Sequence, residues 1–116
     1  MNKKIIVALD FAKDKEAYAL AEKLSPQDCR LKIGKAMFSR YGTEIVKKIQ
    51  DLGFELFLDL KYHDIPNTVQ DAVLAAADLG VWMVNIHAQG GSKMMKAAVN
   101  ALKNRQQKPY LIAVSV

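Results

Sequence analysis

The chain has 116 residues, 51% hydrophobic and 25% charged, with a formal net charge of +5. This composition excludes intrinsic disorder. No apolar run approaches the roughly 20 residues a membrane helix needs, and Asp10 comes too early for a secretory leader, so one cytoplasmic domain with no membrane partner is expected. Lysines are spread along the chain and the arginines are only Arg30, Arg40 and Arg105; no basic stripe marks a nucleic-acid partner, while the positive balance suits a small anionic substrate.

In chain order, Ile5 to Asp10 reads as an apolar strand closing on an acid. A helix over about Asp14 to Leu24 follows, with Ala17, Leu20, Ala21 and Leu24 on one face. Cys29, the single cysteine, rules out an internal disulfide framework and reads as a small packed hydrophobe. The second strand is Arg30 to Ile33. Its helix runs over about Phe38 to Leu52 with a buried stripe of Ile45, Val46, Ile49 and Leu52, and Gly53 stands after the helix end. Phe54 to Lys61 forms the third strand, about Pro66 to Leu79 a helix, Val81 to His87 the fourth strand, about Ser92 to Asn104 a helix, and Tyr110 to Val116 a fifth strand. Asp51-Leu52-Gly53 and Asp78-Leu79-Gly80 each close a helix and launch a strand, an internal repeat of one βα unit.

Near-continuous apolar strands alternating with amphipathic helices indicate an α/β fold with a parallel sheet. No Gly-x-Gly-x-x-Gly follows the first strand, which favours a (β/α)8 TIM barrel over a dinucleotide-binding sheet. Such a barrel takes about 250 residues, so residues 1–116 read as the N-terminal portion of a single TIM-barrel domain: about four βα units plus strand five, a half-barrel. An unclosed sheet of this kind leaves two edges and an apolar inner face exposed, as in a truncated product, a partial record, or a half-barrel that pairs with another chain.

Functional groups of such barrels lie at the C-terminal ends of strands, and there the chain places Asp10, Lys32, Asp59, Lys61, Asn85 and His87. Residues two apart share a strand face, so Asp59 and Lys61 are expected side by side. A structural ion pair is one reading. Chemistry is the other, because burying such a pair brings little stability. Asp64 could cap the helix opened by Pro66, and Thr68 to Asp71 also fits a capping pattern. Gly90-Gly91-Ser92 could cradle an anion, although a loop with a capping serine fits better. His63 and His87 are too few and too far apart in sequence for a metal site, and His87 could simply line a barrel; no metal is expected.

Val7-Ala8-Leu9-Asp10, Leu31-Lys32-Ile33-Gly34-Lys35 and Asp59-Leu60-Lys61-Tyr62-His63-Asp64-Ile65-Pro66-Asn67-Thr68 closely resemble orotidine 5′-phosphate decarboxylase. Ala76 to Asn85, with His87-Ala88, is similar to the bacterial form, so the resemblance covers essentially the whole chain. It implies cofactor-free decarboxylation of orotidine 5′-monophosphate to UMP in pyrimidine synthesis. Lys61 would be the proton donor to C6, in a charged network with Lys32, Asp59 and Asp64. Asp10 and Lys32 match ribose-binding residues, and Asp64 and Thr68 match residues that reach into the partner's site of a homodimer; Ile65 lies between them on the substrate-binding segment. The family's phosphate-binding loops lie late in the barrel, beyond Val116.

Two other readings stand beside this one. A magnesium-dependent sugar-phosphate decarboxylase or synthase of the same superfamily shares Asp-x-Lys-x-x-Asp but carries an acidic metal ligand on strand two, where this chain has Lys32. A non-catalytic half-barrel assembly module rests on length alone.

Overall fold

The structure, a computed structural model, describes residues 3–116. It divides into two compact units, one ending at Asp59 and the other beginning at Leu60.

The first unit contains β1 (Ile5–Ala8), α1 (Asp14–Lys23), β2 (Cys29–Gly34), α2 (Lys35–Asp51) and the start of β3 (Leu56–Tyr62). Its strands are parallel and ordered β1-β2-β3, with Ile5 opposite Cys29, Ala8 opposite Lys32, Leu31 opposite Leu56 and Gly34 opposite Asp59. In β2 the side chains alternate. Cys29, Leu31 and Ile33 are buried, whereas Arg30 and Lys32 on the other face are partly exposed. The helices complete the core with Ala17 and Ala21 from α1 and Met37, Ile45, Val46 and Ile49 from α2, whereas Leu52, expected in the buried stripe, stands at the C-cap of α2 and is 41% exposed. Each large apolar side chain so buried contributes about 1.5–3 kcal/mol.

The helix expected to start at Phe38 begins at Lys35, and its backbone breaks at Gly42, where φ is 62° and ψ is −148°. A Cβ there would meet nothing within 4 Å, so glycine is required by the backbone conformation, not by crowding. The 3.6-residue pattern continues on both sides of the break, which is why periodicity alone did not reveal it.

The second unit holds the end of β3, α3 (Pro66–Asp78), β4 (Met83–His87), a 3₁₀ turn at Ala88–Gly90, α4 (Ser92–Leu102) and β5 (Tyr110–Val114). The order is β3-β4-β5, and β4 and β5 are parallel, from Met83 opposite Tyr110 to His87 opposite Val114. Val69, Val73 and Ala77 of α3 join Ile86, Met94, Ala98 and Leu102 in one core, with Tyr62, Met95 and Leu111 packed against it. The repeated Asp-Leu-Gly does what its sequence implies. Gly53 (φ 97°) and Gly80 (φ 75°) donate to the carbonyls of Gln50 at 2.8 Å and Ala77 at 3.0 Å, turning each helix into the next strand.

The expected α/β architecture of four βα units and a fifth strand is therefore present, with strand boundaries displaced by one to two residues. The expected apolar exposure is present in each unit taken separately: Ile5 of β1 is 61% exposed and Tyr110 of β5 is 64% exposed. A charged cluster lies at the N-terminal end of the first unit's strands. Glu55 accepts from Lys3 at 3.1 Å and Arg30 at 3.2 Å, and Arg30 also donates to the Lys3 carbonyl at 3.0 Å. Composition alone cannot tell this clamp from functional charge; its place at the opposite strand ends does.

Candidate active site

In the first unit, Leu9 is fully buried and its N–H donates to the Lys32 carbonyl at 2.9 Å, which extends the pairing past the end of β1. Asp10 is thereby held beside the C-terminal end of β2. Its Oδ1 lies 3.8 Å from where a Cβ at Gly34 would stand, and the Asp59 carbonyl lies 3.9 Å from that point. Across the β2–β3 register, Lys32 Nζ meets Asp59 Oδ2 at 3.3 Å. Asp59 is 8% exposed, so Lys32 supplies a cation to a nearly buried carboxylate. Asp10, Lys32 and Asp59 thus gather at one strand end of this unit, as the sequence implied.

The second unit begins with an irregular backbone. Lys61 has φ 51°, the sole positive φ outside glycine among the described residues. Alternation through Asp59 and Lys61 assumes extended backbone at both positions, and Lys61 departs from it, so its direction is not set by the pleat. Its N–H donates to Asn85 Oδ1 at 2.9 Å, and Asn85, in the middle of β4, is 1% exposed. The neighbouring Tyr62 phenol is pushed above its ordinary value by burial. The His63 and His87 rings, far apart in sequence, stack at 5.3 Å between centroids with an interplanar angle of 27°. His87 Nδ1 accepts from the Gln89 N–H at 3.2 Å, so in the neutral ring the proton sits on Nε2.

From His63 to Thr68 every residue is exposed, with Ile65 at 66%. The N-cap of α3 is Ile65, with no side-chain cap hydrogen bond. Asp64 therefore does not cap the helix; its Oδ1 accepts from the adjacent Ile65 N–H at 2.7 Å. Thr68, the third helical residue, also stands inside the helix and not at its cap. Pro66 at the first helical position supplies the start, since its fixed φ fits and its missing N–H leaves no donor to satisfy. Similarly, Gly91 (φ 92°) caps α4 and Ser92 is already helical, so the expected capping serine is corrected. A Cβ at Gly90 would collide with the buried Met94 side chain, whose flexible end would have to shift.

The residue that sequence reasoning left without a role is Asn85. The signal was available: an amide between Val84 and Ile86 in a buried strand must find a partner. Chemically, an ammonium beside carboxylates at a strand end can hold hydroxyls, and an ammonium can stabilise or protonate a carbanion. Among the described residues, no group of three or more His, Cys, Asp or Glu side chains could hold a metal ion.

A family model described as "Orotidine 5'-phosphate decarboxylase / HUMPS family" matches residues 3–116. An orotidine 5′-phosphate decarboxylase of Baumannia cicadellinicola is 61% identical over 113 residues, covering 97% of this chain and 45% of that protein. One of Alcanivorax borkumensis is 56% identical over 112 residues, covering 97% and 48%. The crystal structure of orotidine 5′-phosphate decarboxylase from Lactobacillus acidophilus superposes with a TM-score of 0.84 at 37% identity, covering 97% of this chain and 52% of that one. The chain spans about half the length of the curated relatives it matches.

Proposed function

Because the chain belongs to the orotidine 5′-phosphate decarboxylase / HUMPS family, we propose that it supplies the charged half of an enzyme that decarboxylates orotidine 5′-monophosphate to UMP. The observation that carries this reading is the 3.3 Å contact between Lys32 and Asp59 beside the Asp10 carboxylate. An ammonium stands where the metal-dependent members of the superfamily need an acidic ligand. This favours nucleotide decarboxylation over magnesium-assisted sugar-phosphate chemistry.

In this mechanism the bond from C6 to the carboxylate breaks, CO2 leaves and the electron pair remains on C6. Lys61 stabilises that charge as an ammonium and transfers a proton to C6; solvent then reprotonates the amine. Asp59 lies against the departing carboxylate and forms a charged network with Lys32, Lys61 and Asp64. Asp10 and Lys32 hold the ribose hydroxyls. Asp64, Ile65 and Thr68, exposed in one chain, complete the nucleotide site of a second copy in a cytoplasmic homodimer. The phosphate contacts belong to the C-terminal portion of the same TIM-barrel domain.

The polypeptide, produced with any residues that continue it, is expected to convert orotidine 5′-monophosphate to UMP without added metal, read by chromatography. Lys61→Ala should lower turnover by at least about 10²–10⁴-fold while the circular dichroism spectrum is kept. Near-normal turnover by that variant would remove the proton-donor role. Magnesium-dependent turnover of a sugar phosphate, with none of the nucleotide, would replace the reading altogether.

A further inference from the structure

We infer that Asn85 is a positioning residue for Lys61: its side-chain oxygen holds the Lys61 peptide in a left-handed conformation and so sets the direction in which the ammonium leaves the strand. The inference rests on the proposed role of Lys61, but its structural part stands apart from any activity.

A lysine gains nothing locally from φ 51°. The left-handed region brings Cβ against the carbonyl oxygen, a strained conformation for an ordinary residue that persists only where the surroundings determine it. Here the determinant is visible. Asn85 Oδ1 receives the Lys61 N–H at 2.9 Å, and Asn85 is 1% exposed. A buried hydrogen bond of this kind stabilises the conformation, and leaving the N–H unmet would carry a desolvation cost, which together offset the strain. The amide is itself fixed. Val84 and Ile86 on either side are buried, and the β4–β5 register pairs Asn85 with Ile112.

The consequence follows from strand geometry. With extended backbone at Lys61 its side chain would follow the pleat, on the face that alternation dictates. The left-handed turn releases it from that alternation. A proton donor must lie within hydrogen-bond reach of its target carbon, and displacement by about 1 Å can cost about 10²-fold in rate. Asn85 therefore acts on kcat through Lys61 without touching substrate.

The test uses Asn85→Leu, which keeps the branching and the number of side-chain heavy atoms and removes the acceptor, and Asn85→Asp, which keeps an oxygen in place and accepts an amide hydrogen bond at least as well. Asn85→Leu is expected to lower kcat about 10²-fold with KM changed less than about threefold. Asn85→Asp should recover about tenfold of that loss. In labelled protein, the Lys61 Cα and Cβ chemical shifts should move from left-handed toward extended values in Asn85→Leu and stay left-handed in Asn85→Asp, with the Lys61 amide exchanging at least about tenfold faster only in the former. Unchanged Lys61 shifts and exchange in a folded Asn85→Leu protein would overturn the inference, as would equal kcat losses in both variants. If the shifts move as expected but the parent enzyme does not turn over the nucleotide, the proposed reaction fails and the hold of Asn85 on Lys61 is upheld. If Asn85→Leu does not fold, Asn85→Ser, whose oxygen is too short to reach, carries the same expectations.

Discussion

Tyr62 stands between Lys61 and His63, and its environment makes a pH dependence. Burial raises the phenol above its ordinary value, so the folded state holds that proton more tightly than the unfolded chain. Its stabilising contribution is fully present below the unfolded value of about 10 and is lost as pH rises from there through the higher folded value. Thermal melts from about pH 9 to 11 should fall more steeply for the parent protein than for Tyr62→Phe. Tyr18, also raised chiefly by burial and opposed by the Lys48 ammonium, is common to both proteins, so the difference isolates Tyr62. Parallel curves would show that the phenol does not titrate with folding. Asp59 is a nearly buried carboxylate against Lys32, and both residue types and their places at the strand ends were legible in the sequence. The left-handed backbone at Lys61 was not legible, because its cause is an amide on another strand.

At the scale of elements, α3 shows how a helix start can imitate a functional motif. Pro66 opens the helix, Ile65 occupies the cap with no side-chain hydrogen bond, and Thr68 is exposed within the first turn. The capping pattern from Thr68 to Asp71 is present in the sequence and out of register with the helix. Thr68→Ala should therefore change stability by less than about 0.5 kcal/mol, as expected for an exposed side chain without a cap bond. If Thr68 reaches the nucleotide of a second copy, the same variant raises KM with kcat retained. Denaturation and steady-state kinetics on one preparation check both. A clear loss of stability would return Thr68 to a structural role. Helix faces, Leu52 at the C-cap apart, and strand order were legible from period and repeat, because those patterns follow from burial within each element. The Gly42 break and the caps were not, because one glycine or polar residue fits several backbone paths until neighbours select one.

For the molecule as a whole, relatives of about twice its length and exposed apolar side chains on β1 and β5 point the same way. A strand with a free edge and apolar residues such as Ile5 and Ile6, or Tyr110 and Ile112, is a template for pairing with further chain or with another copy. The 116-residue polypeptide alone is expected to sediment at micromolar concentration as a species larger than its 12.9 kDa monomer. Ile6→Lys and Ile112→Lys, each placing charge on an apolar strand, should shift that population toward monomer; a monomer in every case would show that these strands are not the contact. The polypeptide alone is also expected to turn over the nucleotide poorly, since remote phosphate contacts supply binding energy that the chemical step uses. By itself the sequence determined the alternation of strands and helices, the family, and the acids and lysines at the strand ends, because hydrophobic period and residue chemistry are local properties. Only the tertiary structure decided that Asp59 meets Lys32, that His63 stacks on His87, and that Lys61 turns left-handed against Asn85. Each of those joins residues remote in the chain, and their meeting depends on strand register and buried hydrogen bonds that no local pattern encodes.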